Sequence, residues 1–517
     1  MPLIRRISLK YQHSVTRFFE ILPGFFIWFL LTSPFWFAQR LSVVFGNLLI
    51  IFAVYWTYRA AIFLIGLIIG YRYHKKEIAI DWRKQIQALQ PSSIPDLDIL
   101  PSDSIFPKQL IVIPIGGAKY DILKHTLDAI DAQNYPKERI YVSLSFEERL
   151  IENDPEYFET MKNMIRKDFA HFGERLMIFD HPKDIPGEAI GAAANRTWGN
   201  KQAIKTLEEK GETIQDFITT SPDEDIRFDK EYLGAMSYRY IVSEKRLQKF
   251  YQTAVYLFSN NYWKVPSLIR AWSMSLSLPV LSSSVTHLHD RETWSCYSVN
   301  LQVMKDVNYW DTSIGIDDTP FFWRPFDHFN GDFHCETFFV PLYADAVYHP
   351  NAFTNYKAQY KQLVRWGWGV VAFPIAMNVL LQNEKIPFFV KLRKIFIMFE
   401  IIVLFKLAAI LFTFAIPIIG LLNPQFNSLQ VSSLLPQTLS LIMTFLTIMI
   451  IPSAIVKLLL MPEPPSDWSK FKVAISFLIE IPLQILLLFT YAFLPFIDGP
   501  TRMMLGHNYD FVVTQKK

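Results

Sequence analysis

Three groups of side chains able to do chemistry follow one another in the middle of the chain. They are Asp223–Asp225, then Asp317 and Asp318, then Gln362, Arg365 and Trp366. Paired carboxylates can hold a divalent cation against a phosphate, and a later carboxylate can accept a proton. An arginine beside a tryptophan can bind phosphate and offer an apolar face to a sugar ring. The order therefore indicates one active site for a phosphate-bearing sugar.

The acidic triplet follows a predicted strand, Asp216–Thr220. Asp223 and Asp225 are two residues apart, so both carboxylates can face one point and hold Mg²⁺ or Mn²⁺. Such an ion offsets the charge that builds on a leaving diphosphate. The alternative is a solvated acidic turn before the predicted helix Lys230–Tyr240, and the triplet alone does not decide between the two interpretations.

The second acidic group lies in a turn that contains Gly315. Asp318 or Asp317 can act as a general base on a hydroxyl. Two adjacent carboxylates in a dry pocket raise the pKa of one of them. The alternative is helix capping, because Asp-Asp-Thr-Pro is a typical helix start, and these residues alone favour capping.

The third group shares one helix face, because Gln362, Arg365 and Trp366 are spaced three and four residues apart. Arg365 can bind a diphosphate with two parallel hydrogen bonds. In isolation, a belt of aromatic and basic side chains beside a membrane is the better interpretation.

Composition limits the classes of protein that fit. The chain has 517 residues, of which 51% are hydrophobic and only 19% charged, so a membrane enzyme with a polar domain is favoured. The net charge of +3 is too small to indicate binding to nucleic acid. Cys296 and Cys335 match neither a disulfide framework nor a zinc spacing.

Apolar stretches lie on both sides of the three groups. A span needs roughly 20 apolar residues to cross about 30 Å of hydrocarbon. Five stretches qualify or nearly qualify: 22–38, 42–70, 395–420, 434–460 and 471–497. Arg59 lies inside the second stretch and must snorkel or find a partner.

Basic residues predict the orientation. Arg5, Arg6, Lys10 and Arg17 precede the first span, and Lys391, Arg393 and Lys394 precede the third. The positive-inside rule therefore places the N-terminus and the central domain in the cytosol. Three further spans then leave the tail outside, although it contains Arg502, Lys516 and Lys517. One C-terminal segment is therefore expected to be re-entrant, bent or interfacial.

The polar middle of the chain alternates strands with helices. Short apolar runs at 109–115, 139–145, 175–179 and 216–220 predict strands, and the patterns at 121–131 and 156–172 predict helices. Alternation of this kind predicts a largely parallel sheet covered on both faces, which binds ligands at the carboxyl ends of its strands.

With these residues in this order, the chain resembles the membrane-integrated family 2 glycosyltransferases of the cellulose, hyaluronan and chitin synthase type. The resemblance covers about 105–370 and the flanking spans. It implies a Rossmann-like GT-A domain with a metal at Asp223 and Asp225, and Asp318 as the base. It also implies that residues 362–366 clasp the donor diphosphate and the acceptor end, and that Thr293–Tyr297 forms an acceptor loop.

The chain departs from the family pattern at several positions. Glu147 or Glu148 stands where the family has an aspartate that reads the nucleotide base. Asn195 is kept, but Ala192 replaces a common lysine. Gly116 and Gly117 replace an Asn-Glu pair. The ending 511–516 is similar to the Val-Thr-x-Lys endings of the family and favours a cytosolic tail.

We therefore expect four parts: a transmembrane hairpin (1–78), a cytosolic GT-A domain (79–355), interfacial helices (356–394) and a C-terminal transmembrane region (395–517). The expected activity is inverting hexosyl transfer from a UDP- or GDP-sugar, with Mg²⁺ or Mn²⁺, to a growing glycan at the plasma or inner membrane. The open alternatives are single-sugar transfer to a lipid carrier, and a transporter or catalytically degenerate scaffold.

Overall fold

The computed structural model of the chain describes residues 8–117, 119–428 and 450–507, together with positions 437, 440, 441 and 444. Arg5, Arg6, part of the predicted span 434–460 and the predicted ending 511–516 lie outside the described residues. The described chain forms a mixed α/β domain, with apolar helices before and after it in sequence.

Ten strands of the described residues form two sheets. They are β1 (Lys108–Ile115), β2 (Ile140–Glu147), β3 (Leu176–His181), β4 (Phe217–Thr220), β5 (Arg227–Phe228), β6 (Lys249–Thr253), β7 (Tyr256–Leu257), β8 (Ser298–Asn300), β9 (His334–Phe338) and β10 (Leu342–Tyr343). The main sheet has the order β3-β2-β1-β4-β8-β6-β9, and the small sheet has the order β5-β10-β7.

The predicted strands are present as β1 to β4, with slightly shifted ends, and these four run parallel to one another. The prediction of a largely parallel sheet is right for this half only. In the other half β8 runs antiparallel to both β4 and β6, while β6 and β9 are parallel. The main sheet is therefore mixed.

Helices cover both faces of the main sheet. In the domain they are Trp82–Gln87, Tyr120–Asp131, Glu148–Asn153, Pro155–Asp168, Ala192–Glu209, Tyr232–Val242, Leu301–Asp306, Asp318–Phe321 and Trp323–His328. Ile111 and Ile113 of β1 lie in one apolar core with Leu123, whereas Leu110 and Val112 lie in a second core with other helices. This alternation buries β1 on both sides, as a central parallel strand requires.

The parallel register brings the carboxyl ends of β1 and β4 to one edge of the sheet. Ile111 pairs with Thr220 at the end of β4, and the Ser221 hydroxyl donates to the carbonyl of Val112 (3.1 Å). The chain after β4 thus continues along β1 toward Gly116. This path carries the acidic triplet to the edge where such sheets bind ligands.

Five helical stretches are long and apolar enough to cross a membrane: 12–37, 42–77, 352–382, 388–422 and 470–504. Four of them match the predicted spans outside 434–460. The stretch 352–382 was predicted as interfacial, and more than half of its most apolar part is buried inside the protein. It is divided by a short 3₁₀ turn at Trp368–Val371.

The remaining α-helices of the described residues are Gln12–Phe37, Ser42–Glu77, Ser267–Thr286, Ala352–Gly367, Ala372–Gln382, Phe388–Phe399, Phe405–Leu422, Ile450–Leu460, Lys470–Phe489 and Leu494–Met504. Residues 251–280 include the end of β6, β7 and the first part of Ser267–Thr286. That helix packs against Ser42–Glu77 on one side and Lys470–Phe489 on another.

Several charged side chains within the apolar helices are paired with one another. Arg59 contacts Glu400 through Nε (2.9 Å) and His287 through Nη1 (2.8 Å), so it has the partner that its position demands. Glu480 accepts from Arg270 (2.7 Å) and Lys457 (2.5 Å), and all three side chains are buried. The pairs Arg59–Glu400 and Arg270–Glu480 join helices that are far apart in sequence.

The residues that flank Lys470–Phe489 on both sides contact segments that are remote in sequence. Before it, Trp468 packs edge-on against Trp263 (5.0 Å between ring centroids). After it, the Tyr491 hydroxyl donates to the Tyr356 carbonyl (3.0 Å). The next helix, Leu494–Met504, ends where Arg17 donates to the Met503 carbonyl (2.7 Å). The last apolar stretch is thus bent, and it finishes beside the basic N-terminal segment.

The helices Ala352–Gly367 and Leu494–Met504 cross at two glycines. A Cβ on Gly367 would clash with the Pro495 carbonyl oxygen, and one on Gly499 would lie 2.6 Å from the Gly367 oxygen. Both obstacles are backbone atoms, which cannot turn away. Contact this close requires residues without side chains.

We expect Gly367→Ala to lower the thermal unfolding midpoint in detergent, because overpacking typically costs about 1–3 kcal/mol. Gly369→Ala is the matched control, since a Cβ added at Gly369 would meet no atom within 4 Å. Equal midpoints for the two variants in a thermal melt would contradict this account of the crossing.

Candidate functional site

The acidic triplet is held at the edge of the sheet by contacts from β1 and its following helix. Glu224 accepts a hydrogen bond from the Gly116 backbone N–H (2.8 Å). The Thr126 hydroxyl donates to the Glu224 carbonyl (2.8 Å). The middle residue of the triplet therefore anchors the turn, and its two neighbours are placed on either side of it.

Asp225 is buried, with 2% of its surface exposed. One of its carboxylate oxygens accepts from the Asp345 backbone N–H (3.1 Å), and its carbonyl accepts from Asn260 (3.2 Å). A solvated acidic turn is therefore the wrong interpretation for Asp225. Asp223 is more open, with 42% of its side chain exposed.

Arg196 joins two of the predicted acidic groups. Its guanidinium contacts Asp223 through Nη2 (2.6 Å) and Asp317 through Nη1. Arg196 lies in the first turns of Ala192–Glu209, and only 3% of its side chain is exposed. Two segments that are remote in sequence thus meet on one buried cation.

Asp317 does not cap the helix that follows it, since its side chain makes no capping hydrogen bond. The capping interpretation is therefore wrong for this residue. Burial raises the pKa of the Asp317 carboxyl, and the Arg196 guanidinium opposes that rise. Asp318 and Asp223 raise the pKa further, since each is a nearby like charge.

Asp318 is oriented by backbone donors from two sides. Ser295 N–H donates to one carboxylate oxygen (2.9 Å) and Thr319 N–H donates to the other (2.8 Å). The Thr293 hydroxyl also donates to the Asp318 carbonyl (2.7 Å). The predicted acceptor loop Thr293–Tyr297 therefore contacts the predicted base. Ser295 has a positive φ of 48°, a backbone angle that residues other than glycine rarely adopt outside a functional or constrained turn.

Aromatic side chains line the same region. Tyr256 packs against Trp294 (4.9 Å between centroids) and Phe258 (5.1 Å), and its hydroxyl accepts from the Ser295 hydroxyl (3.0 Å). Burial raises the pKa of Tyr256 well above its ordinary value, and the nearby charges of Asp223 and Asp225 add to this. Tyr256 thus lies between the triplet and the loop that orients Asp318.

The third group approaches the second through apolar packing. Ile316, next to Asp317, lies in one cluster with Val364 and Trp368. Trp366 lies in another cluster with Phe258. The helix Ala352–Gly367 is thereby placed beside the acidic loop.

The side chains of the third group differ in exposure. Gln362 is buried and its side-chain oxygen accepts from Gln359 (3.0 Å). Arg365 and Trp366 are half-buried. The clasp predicted for residues 362–366 stays a prediction.

The residues predicted to read the nucleotide base are engaged within the protein. Glu147 contacts Arg149 (2.5 Å) and His181 (2.9 Å), and Glu148 accepts from the Lys183 backbone N–H (2.9 Å). They lie at the end of β2, on the same edge as the triplet. Their role in base recognition stays a prediction.

Asn195 is 4% exposed, and its side-chain oxygen has no hydrogen-bond partner within the described part of the chain. The neighbouring turn is tight, because a Cβ on Gly191 would lie 3.2 Å from the Gly315 oxygen. The start of Ala192–Glu209 therefore packs directly on the loop that carries Asp317.

Sequence reasoning missed Arg196, Tyr256 and His181. The available signal for Arg196 was its place directly after Asn195, which the family pattern keeps. Nothing in the local sequence marks the other two residues as parts of a site.

The donor set fits a divalent cation in part. Asp223 and Asp225 are hard oxygen ligands at the end of a strand, and a cation that keeps water and phosphate ligands needs few carboxylates. Within the described residues, no group of three or more His, Cys, Asp or Glu side chains could hold a metal ion. A cation here would depend on oxygen ligands from a substrate or from water.

No family model and no curated protein matches the chain. Among solved structures, it is similar to a mannosyltransferase from Pyrobaculum calidifontis in complex with GDP-Man and Mn²⁺, at 14% identity and a TM-score of 0.38. That likeness covers 77% of this chain and 99% of the other. It is also similar to S. aureus TarS 1-349 in complex with UDP-GlcNAc, at 12% identity and a TM-score of 0.31, over 77% and 91%.

His181 offers a test of the local electrostatics. It is buried between Glu147 (2.9 Å) and Glu188 (3.0 Å). Burial favours the neutral ring, but the two carboxylates outweigh it and hold the pKa of His181 above 6.5. The stabilisation is therefore complete below pH 6.5 and is lost as the pH rises through the raised pKa.

We expect His181→Gln to lower the thermal midpoint more at about pH 6 than at about pH 9, because only the charged ring gains from both carboxylates. The control is His171→Gln, since His171 is exposed and its contact with Asp131 (3.0 Å) contributes little. Equal losses for His181→Gln at the two pH values in thermal melts would disprove the charged-pair account.

Proposed function

We propose that the chain is a membrane-bound family 2 glycosyltransferase with a GT-A domain. It transfers a hexose from a nucleotide-diphosphate sugar to a growing glycan, with inversion at the anomeric carbon. The observation that carries the proposal is the meeting of Asp223, Asp317 and Asp318 at the carboxyl edge of the sheet. Sheets of this type bind nucleotides at that edge.

Asp223 and Asp225 would hold Mg²⁺ or Mn²⁺. When bound, the ion supplies positive charge against the leaving diphosphate. Asp223 is half-exposed and so open to a ligand, and the buried Asp225 is fixed by the Asp345 backbone N–H. The donor side would be completed by Asn195, with Glu147 or Glu148 beside the nucleotide base.

Asp318 would remove the proton from the acceptor hydroxyl. Its carboxylate is held by the N–H groups of Ser295 and Thr319, so it is oriented before the acceptor binds. The carboxylate of its neighbour Asp317 instead forms an ion pair with Arg196, which makes it less able to accept a proton. Of the two acids, Asp318 is therefore the better candidate for the base.

The helix Ala352–Gly367 would close the cleft on the membrane side. Arg365 would bind the diphosphate, and Trp366 would stack on the acceptor sugar. The packing of Val364 against the Ile316 cluster supports this position. Gln362, buried against Gln359, would fix the helix face toward the cleft.

We place the N-terminus, the α/β domain and the C-terminal helix end on the cytosolic side of the membrane. The contacts of Trp468, Tyr491 and Met503 support this arrangement, because each lies against the N-terminal or domain side. The last apolar stretch then returns without a net crossing, which removes the conflict between the span count and the basic tail.

A second candidate is transfer of one sugar to a lipid-linked acceptor. The observation favouring it is a wholly apolar cavity between the first helix and the helices that follow the third group, with walls from Leu22, Phe26, Phe399, Ile402 and Val403 among others. Ile402 also packs in the cluster that contains Ile316. An acyl or isoprenoid chain would fit such a lining.

We expect Asp318→Asn to lower turnover by roughly a hundredfold to ten-thousandfold, the usual contribution of a general base. Nucleotide binding should stay close to that of the wild-type chain, because the base acts on the acceptor. The control is Asp306→Asn, which neutralises an exposed aspartate in Leu301–Asp306. Normal turnover by Asp318→Asn would show that the base is assigned wrongly.

A donor screen tests the proposed reaction. The purified chain in detergent should release UDP or GDP from one of a panel of nucleotide sugars, and only with Mn²⁺ or Mg²⁺ present. The panel includes GDP-mannose and UDP-GlcNAc. Product length on a gel then separates a growing glycan from a single-sugar lipid product. Absence of release from every donor, by folded protein, would favour a scaffold or transporter.

A further inference from the structure

The guanidinium of Arg196 has two unequal ends. Its contact with Asp317 is enclosed, because 3% of the arginine side chain and 13% of that aspartate are exposed. Its contact with Asp223 opens toward solvent, since 42% of the Asp223 side chain is exposed. The Asp317 contact therefore anchors the arginine, while the Asp223 contact is open to solvent.

Asp223 has two competing cations in this arrangement. It contacts Arg196 at 2.6 Å, and it is also half of the carboxylate pair proposed to hold a divalent ion. Both cations draw on the charge of the same carboxylate. A divalent ion at Asp223 thus weakens the arginine contact, and the arginine contact weakens binding of the ion.

The negative charge around Arg196 has to be offset before a phosphate can bind there. Asp317 and Asp223 contact the guanidinium, and Asp318 also acts on it electrostatically. Three carboxylates thus face one guanidinium, and a diphosphate is repelled until further positive charge arrives. The guanidinium, released at one end, then presents free N–H groups beside the incoming phosphate, which its planar fork fits well.

We propose that Arg196 is an exchangeable counter-ion of the donor site. It neutralises Asp223 while the cleft is empty, and it turns to a phosphate oxygen of the donor when a divalent cation takes Asp223. Asp317 stays bound to the arginine throughout and keeps it in place. This inference depends on the proposed function, since it assigns a residue to the donor and cation site described there.

The test separates cation binding from nucleotide binding. Arg196→Gln removes the competitor of the cation and the donor to the phosphate. We expect Mn²⁺, titrated alone and followed by electron paramagnetic resonance, to bind several-fold tighter than to the wild-type chain. UDP or GDP, whichever the wild-type chain binds, should bind about tenfold weaker at saturating Mn²⁺, since a charged hydrogen bond is lost. A purely structural role would not move the two affinities in opposite directions.

Two further variants keep the test decisive. Lys201 is exposed on the same helix as Arg196. Lys201→Gln removes the same charge and should change neither the Mn²⁺ affinity nor the nucleotide affinity. If Arg196→Gln fails to fold because Asp317 is left buried and charged, Arg196→Gln with Asp317→Asn removes that charge. The double variant should show the same opposite shifts.

The outcomes distinguish the inference from the proposed function. Opposite shifts in Mn²⁺ and nucleotide affinity support the exchange. Shifts in the same direction, or no shift, overturn it even when the wild-type chain binds both ligands and transfers sugar. A folded wild-type chain that binds neither Mn²⁺ nor nucleotide overturns the proposed function and the exchange together.

Discussion

A buried guanidinium needs carboxylates close to it, and this requirement holds the segments of the candidate site together. Arg196 is buried between Asp223 and Asp317, and the cost of leaving a guanidinium unpaired there would far exceed the value of any single contact. Because each aspartate belongs to a different segment, pairing them with one arginine sets the position of both segments. The candidate site is thus organised by charge compensation as much as by the sheet.

The same requirement acts among the apolar helices. Arg59 is paired with Glu400, and Arg270 shares Glu480 with Lys457. In a low-dielectric environment such pairs are kept together, since separating them leaves an uncompensated charge. Each pair therefore fixes the relative position of helices that apolar packing alone would allow to slide.

A short connection links the two halves. Asn260 donates to the Asp225 carbonyl (3.2 Å), and Tyr262, two residues later, donates to Glu480 (3.4 Å). The turn that carries the candidate metal ligand is thereby tied to the buried charges of the C-terminal helices. Only two positions along the chain separate the contact with the acidic triplet from the contact with the C-terminal helices.

The sequence alone determined the first four strands, the position of the acidic triplet after β4 and most of the apolar stretches, because each depends on local periodicity and on neighbouring turn residues. Only the tertiary structure decided that Asp317 pairs with Arg196 rather than capping a helix, that Glu147 is engaged by His181, and that the last apolar stretch divides into Lys470–Phe489 and Leu494–Met504. Those outcomes depend on contacts between segments remote in sequence. No local pattern records which distant charge a buried side chain will meet.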